Sequence, residues 1–205
     1  MAQELAALAD PAHTALVTQE CQGSVIGSRS VVPELAAAAA TTVIPNVARL
    51  VRAARPAGVP VVHCVAARRA DEAGSNHNAR LFGAVRKSPV AMLPGTEATD
   101  VVPEIGREEG DLLLTRLHGL GPMGGTDLDP VLRNLGVTTI VGVGVSLNLG
   151  MCSFAMDAVN NGYQFVLPAD ATAGVPADYA EAVVEHTLSL IATVVSTDEL
   201  VEVWG

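Results

Sequence analysis

Thr138-Thr139-Ile140-Val141-Gly142-Val143-Gly144-Val145-Ser146-Leu147-Asn148-Leu149-Gly150-Met151-Cys152 is the stretch that decides the fold. Its first residues form an apolar, β-branched run, and Phe154-Ala155-Met156-Asp157-Ala158-Val159 beyond it has helical spacing that stops at Gly162. The order is therefore strand, tight turn, helix. A turn of this kind aims free backbone N–H groups at whatever lies above the sheet, so it suits an anion or a developing oxyanion.

The same alternation extends in both directions. Thr14 to Glu20 reads as a buried strand, and Gly58 to Val65 as a turn and second strand. Asp111 to Arg116 reads as a third strand, Thr138 to Gly144 as the fourth, Tyr163 to Pro168 as the fifth and Glu199 to Trp204 as a sixth. Between them, Glu34 to Ala57 has helical periodicity, with Pro45 implying a kink or a break. Thr126-Asp127 caps a short helix to Leu135, and Pro176 to Val195 reads as a helix. Strands alternating with helices imply right-handed crossovers, hence an α/β fold with a doubly wound, mostly parallel six-stranded sheet and helices on both faces.

Composition agrees with this architecture. The chain has 205 residues and no composition break, which points to one domain over 1–205. Hydrophobic residues make up 49% but aromatics only 3%, so the core must be built from Ala, Val and Leu, as in parallel sheets covered on both faces. A formal charge of -10 argues against nucleic acid, because phosphate binding needs clustered cations and only Arg68-Arg69 and Arg86-Lys87 approach that. Cys21, Cys64 and Cys152 are odd in number and lack CxxC spacing, which disfavours a disulfide framework or a zinc site and fits a reducing cytoplasm. The N-terminal Met1-Ala2-Gln3-Glu4-Leu5 has no basic leader and Ala36 to Ala40 is too short to span a bilayer, so no targeting or membrane segment is expected.

In an open α/β sheet, ligands sit beyond the carboxyl ends of the strands, near the point where strand order reverses. Glu20, Arg116 and the turn from Ser146 to Gly150 fall at such ends. A carboxyl group closing an apolar strand is partly desolvated and suits proton transfer, although it can equally be solvated or paired. Arg116 can hold an anion or hold Glu20 ionised, or serve in a structural ion pair. Arg68, Asn76, His77 and Asn78 lie in a polar loop and His118 in a glycine-rich one, where they can read a substrate or simply face solvent. Val145, Ser146 and Gly150 complete the candidate cradle. Gly142-x-Gly144 followed by Gly150 is not GxGxxG spacing, so no dinucleotide is implied. His63, His77 and His118 carry no metal-ligand spacing, and neither a metal nor another cofactor is expected.

Three segments together resemble the isochorismatase-like hydrolases, a group within the cysteine hydrolase superfamily: Thr14 to Gln22, Gly125-Thr126-Asp127-Leu128-Asp129, and Gly144 to Asp157. The resemblance makes Glu20 the strand-1 acid, with Gln22 following where the family has glutamine, and puts Arg116 in place of the lysine in a strand-ending Thr-Lys pair. It also puts a cis peptide at Val145-Ser146. In the amidase members the nucleophilic cysteine stands seven residues before the aspartate of an Asp-Ala pair, which is Asp157-Ala158 here, and Gly150 occupies that place. Cys152 lies about 200° around a helix from it, a direction away from the same pocket.

The resemblance thus implies a hydrolase of a small, anionic molecule that works by acid–base chemistry without a thiol, enol-ether cleavage being the favoured type. Glu20 and Arg116 would be catalytic, and Gln22, Arg68, Asn76, His77, His118, Val145, Ser146 and Gly150 would bind substrate. It also implies a homo-oligomer. One alternative is a family member that has lost catalysis and serves as a binding or scaffold protein. Another is an amide hydrolase using Cys152 or Cys21.

Overall fold

The computed structural model describes residues 2–205; Met1, which was counted in the N-terminal stretch and in the span 1–205, lies outside the described residues. In chain order the elements are α1 (Ala2–Leu8), β1 (Thr14–Gln19), α2 (Gly23–Ile26), α3 (Pro33–Thr41), α4 (Val43–Ala57), β2 (Val61–Ala66), α5 (Arg80–Arg86) and β3 (Leu112–Arg116). They continue with α6 (Leu128–Asn134), β4 (Thr139–Val145), α7 (Cys152–Asn160), β5 (Gln164–Pro168), β6 (Thr172–Ala173), α8 (Ala177–His186), β7 (Thr193–Val195) and α9 (Thr197–Trp204).

The sheet runs β3-β2-β1-β4-β5-β7, with the two-residue β6 added beside β4, and every pair is parallel. The chain starts at the centre with β1, moves outward through β2 to β3, then crosses back to β4 on the other side of β1. Strand order therefore reverses between β1 and β4, whose carboxyl ends open the crevice where ligands bind in such sheets.

Alternation along β1 sorts the core into two layers. Leu16 faces the layer built by α3, α4 and α9, with Leu35, Val47, Leu50 and Leu200. Ala15 and Val17 face the opposite layer, where Leu132 of α6, Phe154 of α7 and Val183 of α8 pack. Both faces are covered, as the nearly unbroken apolar strands require. Gly144 shows how tightly β1 and β4 approach at the crevice. Its φ is +112°, and a Cβ there would lie 2.2 Å from the Gln19 carbonyl oxygen, so only glycine fits.

Three expectations need correction. Glu199 to Trp204 is helical, belonging to α9, because Ser196 and Glu199 form a reciprocal capping box and Leu200 and Trp204 are buried one turn apart. The helix expected over Pro176–Val195 ends at His186, and the edge strand β7 follows at Thr193–Val195. The long helix from Glu34 to Ala57 is two helices parted at Thr42, while Pro45 sits inside the first turn of α4, where its missing N–H costs nothing. Among the described residues, no helix is long and apolar enough to cross a membrane.

Candidate active site

At the β1–β4 crevice, a cavity of about 280 Å³ is lined by Glu20, Arg116, Ser146, Asn148 and Gly150, along with Arg68, Asn76 and His118. The elements that bring these residues together follow from the topology. Glu20 is the residue after β1, and its φ of +52° puts a non-glycine residue in the left-handed region, at a cost of roughly 1–2 kcal/mol. Such a departure from the extended strand turns the carboxylate aside from the β1 line. Glu20 N–H still donates to the Cys64 carbonyl of β2 at 2.9 Å, which anchors the bend.

Arg116 ends β3, two strands away, and reaches across the end of β2. Its Nη2 donates to Glu20 Oε1 and, at 3.1 Å, to the Leu120 carbonyl. The guanidinium is almost wholly buried whereas Glu20 keeps a fifth of its side chain exposed. Arg116 Nε and Nη1 are sealed from solvent without a hydrogen-bond partner among the described residues. A buried cation with two idle donors is costly, and the Glu20 carboxylate is what balances its charge.

The turn after β4 is a π-helical turn, Leu147–Met151, which runs directly into α7. The Val145–Ser146 peptide is cis. Ser146 Oγ donates to Asn148 Oδ1 at 2.6 Å, and Asn148 Nδ2 donates to the Val175 carbonyl at 3.3 Å, so the polar side chains of this turn are largely engaged with each other and with the neighbouring chain.

Gly150 is buried, and the space beside it is taken. A Cβ built there would lie 2.8 Å from Gln19 Nε2 and 3.2 Å from the Leu120 carbonyl. Gln19, the last residue of β1, is fully buried and donates from Nε2 to that same Leu120 oxygen at 3.2 Å, while its Oε1 has no partner among the described residues. Sequence reasoning passed over Gln19. The available signal was an amide side chain at the end of an otherwise apolar strand, a group that must find a partner when buried.

Several expected binding residues are elsewhere. Gln22 is fully buried and spent on structure: its Nε2 donates to Ser24 Oγ and to the Ala66 and Ala98 carbonyls, and its Oε1 accepts from Ala66 N–H. It ties the chain after β1 to β2 and does not line the cavity. His77 is exposed and pairs with Arg86 Nη1 at 3.4 Å. Val145 is fully buried in the α3–α4 layer. Asn76 does line the cavity, where its Oδ1 accepts from Gly119 N–H at 2.8 Å and so joins the two loops above the sheet. Arg68 lines it as well but is ion-paired with Glu72. His118 lies at the exposed mouth.

None of the cysteines lines this cavity. Burial, reinforced by the Glu20 charge, pushes the Cys21 thiol up to about 12, and burial alone pushes Cys64 to about 12 against the pull of Arg116. Burial raises Cys152 too. The three histidines weighed as metal ligands do not share a site: His63 is sealed inside the sheet between Thr18 and Asp111, His77 is on the surface and His118 is at the mouth.

Comparison with known proteins adds lineage to this geometry. Residues 14–199 match the isochorismatase domain. The uncharacterized isochorismatase family protein YwoC of Bacillus subtilis is 36% identical over 103 residues, which are 50% of this chain and 54% of that protein, so the chain spans about half the length of this relative. A ureidoacrylate amidohydrolase, RutB of Methylobacterium radiotolerans, is 30% identical over 176 residues, covering 80% of this chain and 68% of its own. Among solved structures, a cysteine hydrolase from Pseudomonas syringae superposes with a TM-score of 0.80 at 21% identity, covering 95% of this chain and 93% of that one, a likeness of fold.

Proposed function

Because the chain belongs to the isochorismatase family, we propose that it hydrolyses a small molecule by acid–base chemistry without a thiol, with Glu20 as the proton carrier and Arg116 as the holder of its carboxylate. The observation that carries this reading is the crowded space at Gly150. The resemblance puts the amidase nucleophile at that position, yet Gln19 Nε2 lies 2.8 Å from where a Cβ would stand, so any side chain there requires the Gln19 amide to move. The cysteines stand outside the cavity lining with raised thiols, which counts against the amidase alternative.

Enol-ether cleavage fits these parts because it needs a proton carrier and water but no covalent intermediate. Glu20 in its acid form gives its proton to the vinyl carbon, and the ether oxygen shares its lone pair to form an oxocarbenium ion. The carboxylate left behind is the form that Arg116 holds. Water then adds to the cation, its proton returns to Glu20, and the hemiketal breaks to a carbonyl compound and an alcohol. The anionic substrate expected from the resemblance is not carried into this reading, because both cavity guanidinium groups already hold a carboxylate.

A hydrolysis screen over vinyl ethers and amides, run on the native protein and on Glu20→Gln, tests the assignment. Turnover of a vinyl ether that falls at least about a hundredfold in the variant is the expected result, since a positioned proton carrier contributes about 10²–10⁴ in rate. Equal turnover in both proteins removes Glu20 from the mechanism. No turnover of either class by the native protein favours the binding or scaffold alternative.

A further inference from the structure

Polar side chains, among them Glu20, Asn76, His118 and Asn148, share the cavity lining with a larger apolar set that includes Val25, Leu35, Met92 and Leu81, Phe82 and Val85 of α5. Helix α5 buries none of its residues in the core, yet it turns this apolar set toward the cavity. These partly exposed side chains gain further cover from an apolar occupant.

Charge in the cavity is closed. Its ionic lining residues are Glu20, Arg68 and Arg116; Arg116 is paired with Glu20 and Arg68 with Glu72. The idle Nε and Nη1 of Arg116 are sealed from solvent and cannot meet a ligand in this arrangement. An incoming carboxylate would lose its water without gaining a free cation, and it would face Glu20 as a like charge. A neutral group has no such cost. Its donor finds the uncommitted oxygen of Glu20, and at the mouth there is the His118 ring, which makes no hydrogen bond among the described residues.

From this pairing and this wall, we infer that the site takes an uncharged, largely apolar small molecule with one compact polar function, which is read at the Glu20 end. The inference rests on this cavity being the hydrolytic site, and it departs from the anionic substrate that the resemblance implies.

Phenylacetamide and phenylacetate are matched in shape and differ in charge, so isothermal titration with each at neutral pH tests the inference without requiring turnover. The native protein binds the amide at least about tenfold more tightly than the carboxylate. Glu20→Gln keeps the size of the side chain and releases Arg116, so the preference for phenylacetamide over phenylacetate, read as the ratio of the two dissociation constants, falls by about tenfold. Phe82→Ser, at a half-exposed position, weakens phenylacetamide by about fivefold or more through loss of the apolar wall. Native binding of phenylacetate as tight as or tighter than that of phenylacetamide overturns the inference, as does absence of binding by either. Amide binding as expected, together with an empty hydrolysis screen, would remove the proposed reaction and leave this selectivity standing.

Discussion

A methyl group at Gly150 is the most direct probe of the turn after β4. Gly150 lies within a helical turn, where replacing glycine by alanine ordinarily stabilises by about 0.5–1 kcal/mol. Here the new Cβ would stand 2.8 Å from Gln19 Nε2, 3.2 Å from the Leu120 oxygen and 3.5 Å from the Val145 oxygen. Overpacking of this kind costs about 1–3 kcal/mol, so Gly150→Ala is expected to destabilise by about 1 kcal/mol net. With a urea m-value of about 2–3 kcal/mol/M for a chain of this size, the unfolding midpoint falls by about 0.3–0.5 M. The partner substitution is mild. Gln19→Ala leaves the Leu120 carbonyl with Arg116 as a donor, and it also removes the Gln19 Oε1 that has no partner among the described residues. In that background the closest contact is gone and the Leu120 oxygen at 3.2 Å is the tightest left, so Gly150→Ala becomes near neutral. The double-mutant cycle should therefore show a coupling of about 1–2 kcal/mol. If Gly150→Ala changes stability equally in both backgrounds, within about 0.5 kcal/mol, Gln19 is not what closes the space and the reasoning fails.

Further consequences concern thiols, protons and the helix that replaced a strand. Iodoacetamide at mildly alkaline pH should label Cys152 at most in the folded protein and all three cysteines in urea, by intact mass, because burial pushes Cys21 and Cys64 to about 12; rapid native labelling of either contradicts the placement. Burial lowers the titration of His63 below its ordinary 6.5, more than the nearby Asp111 raises it, so the unfolded chain takes a proton more readily than the folded one. The contribution is therefore complete above pH 6.5 and is lost as the pH falls below it, and His63→Gln should flatten the slope of urea stability between about pH 7 and 5. A slope unchanged by the substitution would assign that loss to other groups. Ser196→Ala removes the cap of α9 and should cost about 1 kcal/mol in the same assay, whereas no loss would mean that the capping box contributes little.

What the sequence made legible follows from local physics. The β1, β2, β4 and β5 strands are continuous apolar runs bounded by glycine or polar turns, so their periodicity and edges could be read directly. Glu199 to Trp204 failed because Leu200, Val201 and Val203 suit either a strand or a helix over so few residues. The deciding signal lay upstream, in Ser196 with Glu199 three residues later. β7 was hidden for a similar reason: three residues, Thr193–Val195, carry no period of their own, and their strand state comes from pairing with Val166, Leu167 and Pro168.

The site was half legible for a different reason. Position at a strand end is a property of the sequence, and it singled out Glu20, Arg116 and the Ser146–Gly150 turn, all of which meet at one cavity. Whether a charge there is free or spent is a property of pairs far apart in the chain. For Arg116 the sequence left open whether it holds an anion or Glu20, and the structure pairs it with Glu20, remote in sequence, while Arg68, expected to bind substrate, is taken by Glu72 within one loop. Gln22, expected to bind substrate, is likewise spent: its amide has the right chemistry for a ligand and is fully consumed by Ser24, Ala66 and Ala98. Gln19 is the converse, a residue not singled out from the sequence whose amide crowds the side-chain space beside Gly150. The bare backbone at Gly150 and the amide of Gln19 thus fit one another, and a cysteine placed at Gly150 without shortening Gln19 would press on that amide before it could supply a new reaction.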